Sequence, residues 1–522
     1  MSEPEWRKVC RLEDLKDGAA LLVKAGEEDV FLARRGSAVH AIANKCTHYE
    51  CPLNEGVLVG DVVTCKCHDA KFDIRTGKVL SPPALNDLAV YPVRVDAGDV
   101  LLGPIQKARF PKPEGEDQRT FVIVGGGAAG NAAAETLRRE GFAGRVIMVT
   151  AETDLPYDRP NLSKEFMSGD AKPEWMPLRS AKFYENQKIE VLTGTRVTSV
   201  DPRRKSISLS TGRDLPYDKA LLATGGTPRK LAVPGADGEA CFQLRSFADG
   251  RLIVEAAANA KRAVVIGAGF IGMELASSMR KRGLSVTVVT PEAVPFAKIV
   301  GEAVAAVLRR RHESDGVTFV TGAAVTQIRG RAGAKVVILS GGKRLDADFV
   351  VSGIGVLPSI EYLQGSDIVE DGAVKVNAQL RTRYADLFAA GDIALVPDPV
   401  TGAGARIEHW VVAERQGQHA ARSMLGSDAP FTEVPFFWTR QTGVSLKYVG
   451  YAREWDQTAV RGDPEKGKFL AGYYKGGKLL AAAAMGMANE ITAVRMLLGK
   501  KKTLPPAQLS DGSVDLLALA RE

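Results

Sequence analysis

Cys46-Thr47-His48-Tyr49-Glu50-Cys51, followed by Cys65-Lys66-Cys67-His68 with sixteen residues (49 to 64) between His48 and Cys65, decides how the N-terminal part of this chain folds. Each segment opens on a cysteine with a histidine two or three residues on, at Cys46-x-His48 and Cys65-x-x-His68, and holds a second cysteine. Short apolar runs surround them, at Ala20–Val23, Val30–Ala33, Val39–Ile42, Val62–Thr64, Ala89–Val95 and Val100–Leu102. Turn signals separate the runs, at Lys16-Asp17-Gly18 and Asp96-Ala97-Gly98. Strands this short, punctuated by Gly and Asp, predict a small all-β domain over residues 1–105. Residues 106–119 bury little and hold Pro111 and Pro113, which predicts a semi-stiff linker.

Two Cys and two His in this order are the donor set of a Rieske [2Fe–2S] cluster, in which two thiolates hold one iron and two imidazoles the other. Cys and His are each near 1% of the chain, so the four-residue spacing arises by accident on the order of 10⁻⁵ times in a chain of this length. A Cys2His2 zinc site uses the same donors, but zinc motifs pair Cys with Cys and His with His along the sequence. The expected metal ligands are Cys46, His48, Cys65 and His68, and the expected chemistry is one-electron transfer. Of six cysteines, only Cys241 lies beyond residue 67, so the rest of the chain holds neither a second four-cysteine cluster nor a CxxC redox pair.

Bulk properties exclude several classes. Hydrophobic residues make up 45% and charged residues 25% of the 522, which is ordinary for a water-soluble chain of several domains. No run of eighteen apolar residues predicts a membrane span, and Met1-Ser2-Glu3-Pro4-Glu5-Trp6 carries no signal-peptide pattern. A cytoplasmic location is the expectation. A net charge of +7 with no basic stripe among aromatics argues against nucleic acid as a partner.

From Thr120 the texture becomes strand, glycine-rich turn, helix. Phe121–Val124 runs into Gly125-Gly126-Gly127-Ala128-Ala129-Gly130 and a helix, and Ala263–Ile266 runs into Gly267-Ala268-Gly269-Phe270-Ile271-Gly272 and another. The first glycines lie 142 positions apart (267 minus 125), which marks an internal duplication. GxGxxG alone is weak. Between a strand and a helix it turns amide N–H groups and a helix N-terminus toward a pyrophosphate. Two such units predict two dinucleotides, a flavin and a nicotinamide. An acid about 20 residues after the loop meets the ribose; Glu152 is the candidate for FAD. At the nicotinamide site the strand tip is Thr290, with Glu292 two residues on and no adjacent arginine. NADH is the expected donor, with NADPH still open.

Over nearly its whole length the sequence resembles the apoptosis-inducing-factor-like, Rieske-fused flavoproteins, which are related to the ferredoxin reductases of oxygenase systems. Leu155-Pro156-Tyr157-Asp158-Arg159-Pro160-Asn161-Leu162-Ser163-Lys164 is similar to the family segment in which an arginine and a lysine approach FAD. Ala223-Thr224-Gly225-Gly226 and Phe388-Ala389-Ala390-Gly391-Asp392 resemble the two further FAD stretches, the aspartate meeting the ribityl chain. Gly353-Ile354-Gly355-Val356-Leu357-Pro358 resembles the end of the nicotinamide domain. Glu408-His409-Trp410 with Gln416-Gly417 resembles the element running past the isoalloxazine, and Glu274 matches an acid near the nicotinamide.

The resemblance therefore implies Gly125, Gly127, Ala129, Gly130, Glu152, Arg159, Lys164, Ala223, Thr224, Gly225, Asp392, Glu408, His409 and Trp410 at FAD. It implies Gly267, Gly269, Phe270, Ile271, Gly272, Glu274, Glu292, Gly353, Ile354 and Gly355 at NAD(P)H, with Lys164, Glu274 and Trp410 closest to the reaction. The expected architecture is multidomain: the all-β Rieske domain, an FAD-binding Rossmann-like domain from 120–250 and 370–428, an NAD(P)H-binding one inserted at 251–369, and a C-terminal α+β domain at 429–522. NAD(P)H reduces FAD by hydride transfer, and electrons leave singly through the fused cluster to a downstream acceptor protein. An NADH oxidase, or a redox-sensing signalling protein whose assembly follows nucleotide reduction, is the alternative. The expected state is monomer or homodimer.

Cys51 and Cys67 stand at the offsets where high-potential Rieske proteins form a disulfide between the cluster loops, which implies a Cys51–Cys67 bridge here. A reducing cytoplasm favours two free thiols instead. The same proteins place a serine and a tyrosine where this chain has Ala70 and Phe72. Loss of those hydrogen bonds to sulfur implies a potential toward the lower part of the Rieske range, roughly −150 to +300 mV.

Overall fold

The structure is a computed structural model that describes residues 5–522; Met1-Ser2-Glu3-Pro4, part of the stretch read for a signal peptide, lies outside the described residues. The chain divides into two compact units. One holds the chain up to Lys112 together with Met487–Leu504 and Asp511–Glu522; the other holds Pro113–Gly486 and Pro505–Ser510. The break between Lys112 and Pro113 falls inside the expected linker.

The first unit carries three antiparallel sheets. Arg7–Arg11, Asp99–Leu102 and Val93–Asp96 form one, and Ala20–Ala25, Glu28–Arg35 and Ala38–Ala43 the second. Val57–Val59, Val62–Thr64, Lys71–Asp73 and Val79–Ser81 form the third. The expected strand at Ala89–Val95 is confined to its end, because Val90 makes only isolated bridges to Ile42 and Gln106. Strand Glu28–Arg35 is buried on both faces. Val30 and Leu32 pack into one core with Leu15 and Val100, whereas Phe31 and Ala33 pack with Ile42, Val63, Phe72, Cys46 and Cys65. Strict alternation of side chains lets one strand serve two cores.

The second unit contains two five-stranded parallel sheets of the same design. In the first, Thr120–Val124 lies between Arg145–Val149 and Lys219–Leu222, with Ile189–Leu192 and Leu387–Ala389 at the edges. In the second, Arg262–Ile266 lies between Ser285–Val289 and Phe349–Ser352, with Val317–Val320 and Cys241–Gln243 outside. Each sheet has a satellite of three antiparallel strands, 197–216 and 325–347. The duplication read from the glycine loops thus extends to whole domains. Strand Leu387–Ala389 returns to the first sheet after the second is complete, which is the nesting expected of an insertion.

Two expected boundaries move. The expected 250/251 boundary puts Cys241–Gln243 in the FAD half, but this strand is hydrogen-bonded to Val350–Ser352 of the second sheet. The 429–522 segment is divided between the two units. Its sheet of Phe436–Gln441, Val444–Gly450, Lys478–Met485, Lys468–Lys475 and Gln457–Asp463 belongs to the second unit, while helices Ala488–Gly499 and Leu516–Arg521 fold with the first. Within the first unit Arg495 lies 3.1 Å from Asp69 Oδ1 and Arg521 Nη2 lies 3.5 Å from the Leu58 carbonyl. Among the described residues no helix is long and apolar enough to cross a membrane.

Candidate functional site

The two loops of the first unit are built alike. In each, the cysteine carbonyl accepts from the amide four residues on, Glu50 to Cys46 at 2.9 Å and Asp69 to Cys65 at 3.2 Å. The cysteine amide then donates one residue further, to Cys51 at 2.9 Å and Ala70 at 2.8 Å. Both closures need a left-handed residue, Glu50 at φ 53° and Asp69 at φ 66°. The turn directs the cysteine and the following histidine inward together.

Like ligands converge. The Cys46 and Cys65 thiols hydrogen-bond each other, and Nδ1 of His48 lies 3.0 Å from Nδ1 of His68 with the rings nearly perpendicular at 86°. Burial pushes the His48 imidazole down to about 4, so it is neutral, the form that ligates metal. A pair of sulfurs and a pair of ring nitrogens, each converging on its own kind, fit a bridged iron pair with mixed ligation. They fit a single tetrahedral ion less well, since that needs four donors around one point. Cys51 and Cys67 form a disulfide that ties the loops together. Ala70 and Phe72 are fully buried and offer no hydroxyl to the cysteine sulfurs.

In the second unit a cavity of about 650 Å³ opens at the C-terminal ends of the first sheet's strands. Its wall includes Gly125, Gly127, Ala129, Glu152, Arg159, Lys164, Ala223, Thr224, Gly225, Asp392, Glu408, His409 and Trp410, together with Phe270, Ile271 and Glu274 from the second glycine loop and its helix. Gly130 stands behind this wall, and Gly267, Gly269, Gly272, Glu292, Gly353, Ile354 and Gly355 are not part of it.

The glycines divide their work. A Cβ on Gly125, at φ 115°, would meet the Ala223 carbonyl oxygen at 2.2 Å, and one on Gly130 would meet the Gly125 oxygen at 1.9 Å, whereas one on Gly127 would meet nothing within 4 Å. The second loop repeats this, with contacts of 2.4 Å at Gly267 and 2.2 Å at Gly272 and open space at Gly269. Tight turn, open face and close helix packing are the three demands of a dinucleotide loop. Both cradles fit a pyrophosphate.

Charged groups on the wall are already oriented. The Glu152 carboxylate accepts from Tyr157 Oη and from Arg159 Nη2, both at 2.6 Å. Asp392 accepts from Arg245 Nη2 at 3.0 Å, and the preceding Gly391 amide donates to Gln416 Oε1 at 2.8 Å. Glu274 joins three parts of the fold: Oε2 accepts from Ser163 Oγ at 2.6 Å and Lys164 Nζ at 2.9 Å, and Oε1 accepts from Thr439 Oγ1 at 2.6 Å. His409 caps helix Trp410–Met424 beside Phe437, at 4.2 Å between ring centroids. Burial pushes its imidazole down to about 4, against the pull of Asp392, and its Nδ1 has no partner among the described residues. An orphaned ring nitrogen in a cavity wall suits a polar cofactor edge. At the second loop, Glu292 pairs with Lys298 at 3.3 Å.

Sequence reading missed Thr439, Arg245, Trp438 and Glu414. Thr439 and Trp438 follow a Phe436-Phe437 pair whose only signal was aromatic density. Glu414, one turn beyond Trp410, is buried and its carboxyl is pushed well above the usual range, chiefly by desolvation; the Trp410 side chain hydrogen-bonds it. Arg245 carries no local signal.

Two nested dinucleotide folds in a chain that also holds a two-Cys, two-His loop pair define a flavin- and nicotinamide-dependent oxidoreductase with an iron–sulfur centre. Residues 119–417 match the pyridine nucleotide-disulphide oxidoreductase family, 436–520 the reductase C-terminal family and 5–92 the Rieske [2Fe-2S] domain. The chain belongs to the pyridine nucleotide-disulphide oxidoreductase family and carries a Rieske domain at its N-terminal end. Apoptosis-inducing factor 3 of Homo sapiens is 36% identical over 513 residues, 95% of this chain and 84% of its own. The ferredoxin–NAD(+) reductase component of the anthranilate 1,2-dioxygenase system of Burkholderia cepacia is 36% identical over 397 residues, 76% of this chain and 98% of its own. Among solved structures, a ferredoxin reductase from Rhodopseudomonas palustris superposes with a TM-score of 0.74 at 32% identity, covering 77% of this chain and 100% of that one.

Proposed function

We propose that this protein oxidises NADH and sends the electrons one at a time through its own Rieske cluster to a separate, ferredoxin-type acceptor. The observation that carries this reading is that one chain holds both kinds of site, while the wall of the flavin-sized cavity contains no cysteine. Exit through a dithiol needs a thiolate pair. When bound, FAD supplies the two-electron to one-electron conversion, and the cluster supplies the one-electron exit.

The residues then divide as follows. The open face of Gly127 receives the FAD pyrophosphate, Glu152 the ribose, and Asp392 the ribityl chain, with Arg159 fixing Glu152. His409 stays neutral against the flavin ring, Glu408 stands beside it, and Trp410 walls the ring. Glu274 holds the Lys164 ammonium where the nicotinamide meets the flavin, so hydride transfer needs orientation and charge but no general acid. Gly269 faces the nicotinamide nucleotide's pyrophosphate, with Phe270, Ile271 and Gly353–Gly355 closing that site. Glu292 near the ribose favours NADH, since a carboxylate accepts from a 2′-hydroxyl and repels a 2′-phosphate. The names of the relatives, ferredoxin–NAD(+) reductases of oxygenase systems, support a small iron–sulfur protein as acceptor. We assign the protein to the cytoplasm as a monomer or homodimer.

Anaerobic stopped-flow mixing with NADH or NADPH, followed at flavin and cluster wavelengths, tests this. Flavin bleaching should come first and cluster reduction second, with NADH at least about tenfold faster than NADPH. Cytochrome c reduction should far exceed oxygen consumption and collapse in Cys65→Ser. Flavin reduction with a cluster that stays oxidised would overturn the route.

A further inference from the structure

Asp69 follows the ligand His68 directly and closes the second cluster loop through its left-handed backbone. Its side chain is 3% exposed, yet it is a carboxylate. Arg495, from the middle of helix Ala488–Gly499, brings Nε to 3.1 Å from Asp69 Oδ1, an ion pair by distance without hydrogen-bond alignment, and its own side chain is 8% exposed. Both residues belong to the first unit. A cation from the last helices of the chain is therefore buried against the cluster loop.

We propose that Arg495 is a positioning residue for the iron–sulfur centre, holding Asp69 at the turn after His68 and cancelling its charge there. Two thiolates around an oxidised [2Fe–2S] core leave the site net neutral, and the electron arriving from the flavin site adds one negative charge. Cluster potentials respond to net charge and exposure. In a desolvated setting a bare carboxylate beside His68 opposes that added charge, and a paired one does not.

The proposal rests on the cluster assignment, and its test reads the cluster itself rather than turnover. Full-length, cluster-loaded Arg495→Met, Arg495→Lys, Asp69→Asn and the double variant Asp69→Asn/Arg495→Met are titrated potentiometrically, with iron counted per chain and the reduced-cluster EPR signal followed. Asparagine tolerates the left-handed turn, and methionine keeps most of the arginine stem. Expected is a downward shift of the midpoint potential for Arg495→Met, an upward shift for Asp69→Asn, and values close to the parent for the double variant and for Arg495→Lys. If Arg495→Met fails to retain iron, the double variant should retain it. Single variants that load fully and shift in the same direction, or not at all, would overturn the proposal. So would a double variant that loses its iron. Iron-loaded parent protein without a Rieske EPR signal would instead sink the cluster assignment on which the proposal rests.

Discussion

Neighbouring glycines of one loop have different tolerances, because one faces a carbonyl and another faces space. At Gly130 a methyl group would sit 1.9 Å from the Gly125 oxygen, and at Gly127 nothing lies within 4 Å. Gly130→Ala is therefore expected to prevent folding of the flavin domain. Gly127→Ala should fold with the melting temperature of the flavin-free parent but bind FAD at least about tenfold more weakly, since its methyl occupies the space of a close-approaching pyrophosphate. Flavin-free melts beside FAD titrations check this, and equal effects of the two substitutions would contradict it. The same scale separates what motif reading found from what it missed. Glu274 was legible as an acid on the helix after the second loop. Its partner Thr439 was not, because a hydrogen bond between residues 165 positions apart leaves no local pattern.

At the level of elements, helix Trp410–Met424 carries a neutral histidine at its N-cap, and His312 and His419 are likewise pushed down by burial. An unfolded histidine takes its proton near pH 6.5, whereas folded His409 waits until about 4. Between those values the unfolded state binds more protons, so stability falls as pH drops from about 6.5 toward 4. Thermal melts of flavin-free protein should fall over this window, and His409→Asn should remove up to about 1.4 kcal/mol per pH unit of the slope. Unchanged pH dependence in that variant would refute the buried neutral imidazole. The two cluster loops teach a related lesson. Their ligand spacing differs, His two residues after Cys46 and three after Cys65, yet the same pair of backbone bonds and the same left-handed residue close both. Spacing singled out the candidate ligands; the shared turn became visible only in three dimensions.

For the whole molecule, the C-terminal helices are the main departure from a domain-by-domain reading. Leu516 and Ala520 are buried, Lys500 Nζ donates to the Ala520 carbonyl at 2.7 Å, and Arg521 Nη2 reaches the Leu58 carbonyl at 3.5 Å. A chain ending at Ser510 loses these contacts, and burial of Leu516 alone is worth about 1.5–3 kcal/mol. Cluster bleaching on heating should shift to lower temperature while flavin release does not, read by cluster absorbance and flavin fluorescence in one sample. Equal shifts of both signals would show that the helices support the reductase half instead.

The paired Cys and His of the two N-terminal loops and both phosphate loops were readable in the linear order of residues, whereas the nesting of one dinucleotide fold within another was implied by family resemblance. Each of these loops is a short-range pattern in which spacing along the backbone dictates which donors or amides face the same way. The allegiance of Ala488–Gly499, the pairing of Arg495 with Asp69, and the meeting of Ser163, Lys164 and Thr439 at Glu274 emerged only from the folded chain. Burial makes a lone charge costly, and which distant partner relieves that cost depends on how the units pack, not on neighbours in sequence.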